Sequence, residues 1–165
     1  MMDNFIQLQK DSVLRLGIKD ANGNDTGEHL EFDLEDVELP LRYQELVETH
    51  KKNMEHIRNE LIIIEKRQDV KGKKLLSKNE EDTIKALNNF FKKEVEVFNM
   101  FLGENGVQKL LNGRKLGWTT LQEIDALVKN QIEPYLDINK QNIAEKVKKT
   151  YGDLIDKKDN VLKDE

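Results

Sequence analysis

The apolar residues of this chain change their spacing at Leu39, and that change limits the possible folds more than any other feature. Before it, Leu14, Leu16 and Ile18 alternate with polar or small neighbours, and Leu30, Phe32 and Leu34 do the same. A period of two marks a strand with one covered face. Between the runs lies Asp20-Ala-Asn-Gly-Asn-Asp-Thr-Gly27, whose residues accept positive φ or bond their own backbone, as a turn requires. After Leu39, Tyr43, His50, Ile57 and Ile64 recur every seven residues, and Val47, Met54 and Leu61 form a second row four residues on. Together they make one helical stripe about six turns long. The pattern predicts a β-hairpin over residues 10–35 and helices over 39–150. A lone hairpin is marginal in water, so its apolar face must be covered by a helix or by a neighbouring subunit.

Punctuation divides the helical part. Pro40 suits a first turn, where its missing N–H costs nothing. Residues 69–76 read as a linker, with Leu75 and Leu76 packing back onto the helices. Ser77-Lys-Asn-Glu80 is a capping box. The helix it opens carries Ile84, Leu87, Phe91, Val95, Phe98 and Leu102, a stripe broadened by Phe90 and Phe101, and Gly103 suits its C-cap. Gly106, Gly113 and Gly117 flank a short helix with Val107, Leu110 and Leu111. Thr120-Leu-Gln-Glu123 is a second capping box, before Leu121, Ile124, Val128 and Ile132, and Pro134 is expected to bend or break that helix. A last helix with Leu136, Ile143 and Val147 is expected to end near Tyr151, leaving 151–165 as a charged, frayed tail. The expected fold is mainly α (α+β), an N-terminal β-hairpin packed on a bundle of four to five helices, in a single domain over residues 1–150. A length of 165 residues suits one such core.

Composition narrows the function. Lys and Glu are interleaved, and the net charge of −5 offers no basic footprint for nucleic acid. With no cysteine there is no thiolate nucleophile, disulfide framework or Cys-type zinc site. Met1-Met2-Asp3-Asn4 lacks a basic and then apolar leader, and the longest apolar run is Leu61-Ile62-Ile63-Ile64, far short of the roughly 20 residues of a membrane span. A cytoplasmic protein is the expectation. Asp20, Asn22, Asn24, Thr26, Glu28 and Glu31 match the spacing of a calcium loop, but Asp25 stands where that loop needs glycine, and strands flank it. A plain turn explains them. His50 and His56 are six apart and do not share a helix face as zinc ligands would; His50, on the apolar stripe, reads as a hydrogen-bonded interface histidine. The stretch Gly106–Lys115 has the wrong glycine spacing for a phosphate loop. No catalytic residue, metal or cofactor is expected, and the chain does not read as an enzyme.

The order of elements, the helix opening Leu39-Pro-Leu-Arg-Tyr-Gln-Glu-Leu46 and the stretch Phe98-Asn-Met-Phe-Leu-Gly-Glu-Asn-Gly-Val-Gln-Lys-Leu-Leu-Asn-Gly-Arg114 resemble the small tail assembly chaperones of Gram-positive siphophages and prophages. The resemblance spans roughly residues 10 to 135. It implies a protein that coats the tape measure protein before the tail tube forms and engages the major tail protein. Such a role needs apolar helical surface. The candidate partner-binding residues are Tyr43, Ile57, Ile64, Phe90, Phe98, Phe101, Leu110, Leu111 and Trp118, each with core packing as the competing reading. The open strand edges and the long first helix also suit a homo-oligomer. Two other classes compete: a structural virion component, such as a connector or minor tail protein, and a bacterial cytoplasmic helical adaptor.

Overall fold

The hairpin forms where the alternation places it. The computed structural model describes residues 6–8 and 12–163, with side chains up to Gly152; Met1-Met2-Asp3-Asn4, on which the leader reading rests, lies outside them. Strands β1 (Val13–Lys19) and β2 (Asp25–Asp33) pair antiparallel, with Leu14 opposite Phe32 and Leu16 opposite Leu30. The side chains of Leu14, Leu16, Ile18, Leu30 and Phe32 therefore share one face. In the turn, Asp20 Oδ1 accepts the N–H groups of Asn22 and Asn24 at 2.9 Å, and Gly23 takes φ of 81°. The hairpin is covered unevenly. β2 lies against helices, so Leu30 and Phe32 are buried, while their partners Leu16 and Leu14 are only half-buried.

Helix α1 (Leu39–Lys66) is about 42 Å long at 1.5 Å per residue, with Pro40 in its first turn, and it packs antiparallel along α2 (Lys78–Leu102). The capping box opens α2: Ser77 Oγ accepts the Glu80 N–H, and Glu80 Oε2 accepts the Ser77 N–H at 2.7 Å. Both expected stripes largely face the core, with Tyr43, Leu61, Leu87, Phe91 and Val95 half-buried against it, but the most buried rows run to one side of them. On α1 the inward residues are Leu39, Leu46, Asn53, Ile57 and Ile64, while Val47 and Met54 face water. On α2 the buried row is Ala86, Phe90, Glu94 and Phe98, with Phe101 and Leu102, and Ile84 is exposed. Leu75 does not pack back; it is almost fully exposed, and the linker is tied down by polar bonds from Asn79 Nδ2 to the carbonyls of Ile64 and Arg67.

Helix α3 (Gly106–Leu111) turns tightly off α2. Asn99 Oδ1 accepts the Val107 N–H at 2.8 Å, and Asn99 Nδ2 donates to Gln108 Oε1. Helix α4 (Trp118–Leu127) is capped by Gly117, three residues before the expected Thr120. Thr120 stands inside its first turn, and its Oγ1 accepts the Gly117 N–H at 2.8 Å. Pro134 does not break the rod. A π-helical turn at Val128–Ile132 joins α4 to α5 (Glu133–Lys163), with the Glu133 N–H bonded to Val128 O. The wider turn makes room for the proline ring, which in a regular helix meets the carbonyl four residues back. Helix α5 also runs on past Tyr151 and Gly152, where a tail was expected. Counted through the π turn, the bundle has four helices.

The core joins all these elements. Phe101 stacks against Phe32 and Tyr43, each with ring centroids 5.5 Å apart, and Phe98, Val107 and Ile132 are almost wholly buried nearby. Helix α5 is fixed at its start by fully buried Asn139, whose Nδ2 donates to Leu34 O at 2.7 Å and Asp36 O at 3.1 Å. No helix of the described residues is long and apolar enough to cross a membrane. Gly106 is the tightest backbone contact: a Cβ there would stand 2.6 Å from Leu102 Cβ, within the α2–α3 corner. Gly106→Ala is expected to destabilise the fold by about 1–3 kcal/mol through overpacking, measured by urea unfolding, whereas Gly72→Ala, in open space, should change little.

Candidate functional site

A buried carboxylate lies between α1 and α2, where the sequence pattern points to a wet one. Glu94 is 0% exposed. Its Oε2 meets His50 Nδ1 in a short bond, and its Oε1 accepts from Asn53 Nδ2 at 2.8 Å. His50 and Asn53 are one turn apart on α1, so both reach the same carboxylate. The Glu94 bond raises the His50 pKa above its ordinary value, against the opposing effect of burial. Phe98 packs edge-on against the imidazole, with centroids 5.5 Å apart, and Asp125 and Lys129 face it from α4 and the π turn.

An acid–base pair next to an opening invites a catalytic reading. The cavity beside His50, lined by Tyr43, Val47, Asp125 and Lys129, is only about 50 Å³, space for a water or two and not for a substrate. Tyr43, on its rim, donates to Glu133 Oε2 at 2.8 Å, and burial together with that carboxylate pushes its pKa up to about 12. The phenol is therefore a neutral donor tying α1 to α5. The arrangement serves as an interhelical clamp.

The nine candidate partner-binding residues separate clearly. Ile57, Ile64, Phe90, Phe98, Phe101 and Leu111 are buried in the chain's own core, which removes them from any free surface. Tyr43 is half-buried and engaged as above. Trp118 keeps about 40% of its surface exposed, but its ring lies 5.3 Å from both Phe90 and Phe91 and pins the start of α4 to α2. Leu110 is half-buried and lines a groove.

That groove holds about 400 Å³. One wall is β1, from Leu16 to Lys19. The other is the line Glu123, Leu127 and Gln131 of the α4 rod, and Leu30, Leu110 and Ile124 form an apolar floor.

Two further apolar surfaces lie outside the core. At the far end of the α1–α2 pair, Ile63 and Ile84 are exposed beside Val70 and Leu75. On α5, the inward line ends at Asn139. Beyond it Ile143 is half-buried, while Val147 and Tyr151, at 49% and 54% exposure, continue the same row at four-residue spacing. Val147 was legible as part of a stripe; that the stripe outruns the bundle depends on where Asn139 and the Lys146–Glu35 ion pair fix the helix.

The clamp has definite energetic consequences. Glu94→Ala strands His50 and Asn53 at a helix interface and opens a void, and a loss of about 3–5 kcal/mol is expected in urea unfolding; replacing Glu94, His50 and Asn53 together by leucine or methionine should recover most of it. Because the folded His50 pKa is raised, its contribution is complete below the unfolded value of about 6.5 and is lost as pH rises through the folded value. Unfolding midpoints of the wild type should fall from pH 6 towards pH 9, a slope absent from His50→Gln. No protein-family model, curated protein or solved structure matches the chain.

Proposed function

We propose that this chain is a non-enzymatic protein-binding protein of phage tail assembly, a chaperone that covers the tape measure protein and engages the tail-tube protein. The observation that carries the reading is the second half of α5. Among the described side chains its last buried residue is Asn139, and beyond it Ile143, Val147 and Tyr151 share one face, with Val147 and Tyr151 exposed. A helical stripe in that state is matched by another amphipathic helix, laid along it as a helix in a groove. The tape measure is such a partner in the family that the sequence resembles. The flanking residues Glu145, Lys146, Lys148 and Lys149 carry both signs, which suits reversible contact with a mixed-charge helix. A small cavity at the only buried acid–base pair among the described residues, and a large groove with an apolar floor, also favour binding over catalysis.

The test is co-expression with the tape measure and major tail proteins of the same gene cluster. The wild type is expected to hold the tape measure soluble and to co-purify with it. Val147→Asp with Tyr151→Asp should reduce recovery about tenfold or more, a cost of at least 1.4 kcal/mol, while the circular dichroism spectrum and unfolding midpoint stay as in the wild type, because both side chains are exposed. A folded wild type that neither binds nor solubilises either protein rules the reading out.

A further inference from the structure

The two edges of the hairpin are not equivalent. β2 packs on α2 and α3, whereas β1 forms the outer wall of the 400 Å³ groove. Among the described residues nothing pairs with the backbone at that wall. Leu34 N–H donates to Ser12 O at 3.0 Å, which makes Ser12 and Leu34 a hydrogen-bonded pair. In an antiparallel ladder such pairs alternate, so Leu14 and Leu16 direct their backbone groups to β2, and Val13, Arg15 and Gly17 direct theirs outward. No described residue bonds to these outward groups. A strand added there would continue the sheet over the α4 rod, and its inward side chains would fall between Leu16 and Ile18 on one side and Leu127 and Gln131 on the other.

The chain carries a segment with the matching pattern. Ile6-Gln7-Leu8 places two large apolar side chains two residues apart, hence on one face of an extended strand. In the single chain they are unseated, with Ile6 96% and Leu8 84% exposed. Among its described residues, one chain thus has an apolar groove bounded by an open strand edge and a short, exposed apolar segment. We propose that the open edge of β1 is a self-association site that takes the Ile6–Leu8 segment of a second copy as its third strand. Each copy offers one β1 edge and one segment, so a reciprocal exchange closes a two-fold dimer. The segment is short, so the dimer is weak and dissociates on dilution. This inference is independent of the α5 stripe, which lies on another element.

Sedimentation of the full chain over a dilution series reads the outcome directly. A monomer–dimer equilibrium is expected. It should be abolished by Ile6→Asp with Leu8→Asp, and separately by Arg15→Pro, which removes an outward N–H without touching the β1–β2 ladder. Both variants should keep the wild-type circular dichroism spectrum. Because the chain has no cysteine, cross-links locate the strand. Gln7→Cys protein mixed with Gly17→Cys or Arg15→Cys protein should give a disulfide-linked dimer on oxidation. A wild type that stays monomeric overturns the proposal, as does a dimer indifferent to both sets of substitutions. A Gln7→Cys/Gly17→Cys double variant that closes its disulfide only within one chain shows that the segment seats on its own edge, and also overturns it.

Discussion

Glu94 holds α1 and α2 in a single register. Removing a carboxylate from water is costly, and the cost is offset only when both oxygens find donors in good geometry. Here the donors come from His50 and Asn53, one turn apart on the facing helix. An apolar seam between two long helices tolerates sliding and rotation, since one leucine contact resembles the next. A carboxylate with two designated partners does not. Sliding the helices by one turn would leave three buried polar groups unmatched. The aromatic cluster of Phe32, Tyr43 and Phe101, the cap of Trp118 over Phe90 and Phe91, and the placement of the α4 rod all build on the register that this contact selects.

A second set of polar contacts fixes the helical rod to the hairpin side of the molecule. Asn139 bonds to the carbonyls of Leu34 and Asp36, just where the chain leaves β2 for α1, and Tyr43 reaches Glu133 at the start of α5. Arg42 holds the Asp36 carboxyl below the usual range and stiffens the same connection. These bonds are local to the first turns of α5. Past them, among the described residues, the one ion pair from the helix to another element is Lys146–Glu35, followed by exposed apolar residues.

The parts of this architecture that were legible in the sequence are those decided by near neighbours. The hairpin, the capping box at Ser77 and Glu80, the C-cap at Gly103 and the short helix after Gly106 each follow from a few adjacent residues. What was not legible depended on partners far along the chain. Glu94 reads as a solvated charge unless His50 and Asn53, over forty residues earlier, are known to face it. The same blind spot rotated the expected α1 stripe: weighing apolar residues alone favours Val47 and Met54, while the true inward line passes through polar Asn53. Most candidate binding residues were chosen for being large and apolar, and such residues are what a core takes first. Pro134 was misjudged for another reason, since a proline normally interrupts the ladder and only a widened turn before it keeps the rod continuous.

That widened turn sets an angular phase. Each residue in a helix advances the direction of its side chain by about 100°, so the length of the segment before α5 decides which way every later side chain points. The extra residue taken up in Val128–Ile132 acts as an offset between two parts of one rod: upstream, Leu121, Ile124 and Val128 face the core, and downstream, Leu136 and Asn139 do so as well. Loss of one of this turn's polar residues, Lys129, Asn130 or Gln131, would leave the bundle's hydrophobic count unchanged. It would swing Val147 and Tyr151 about a quarter of the way round the axis, turning the same surface toward a different neighbour.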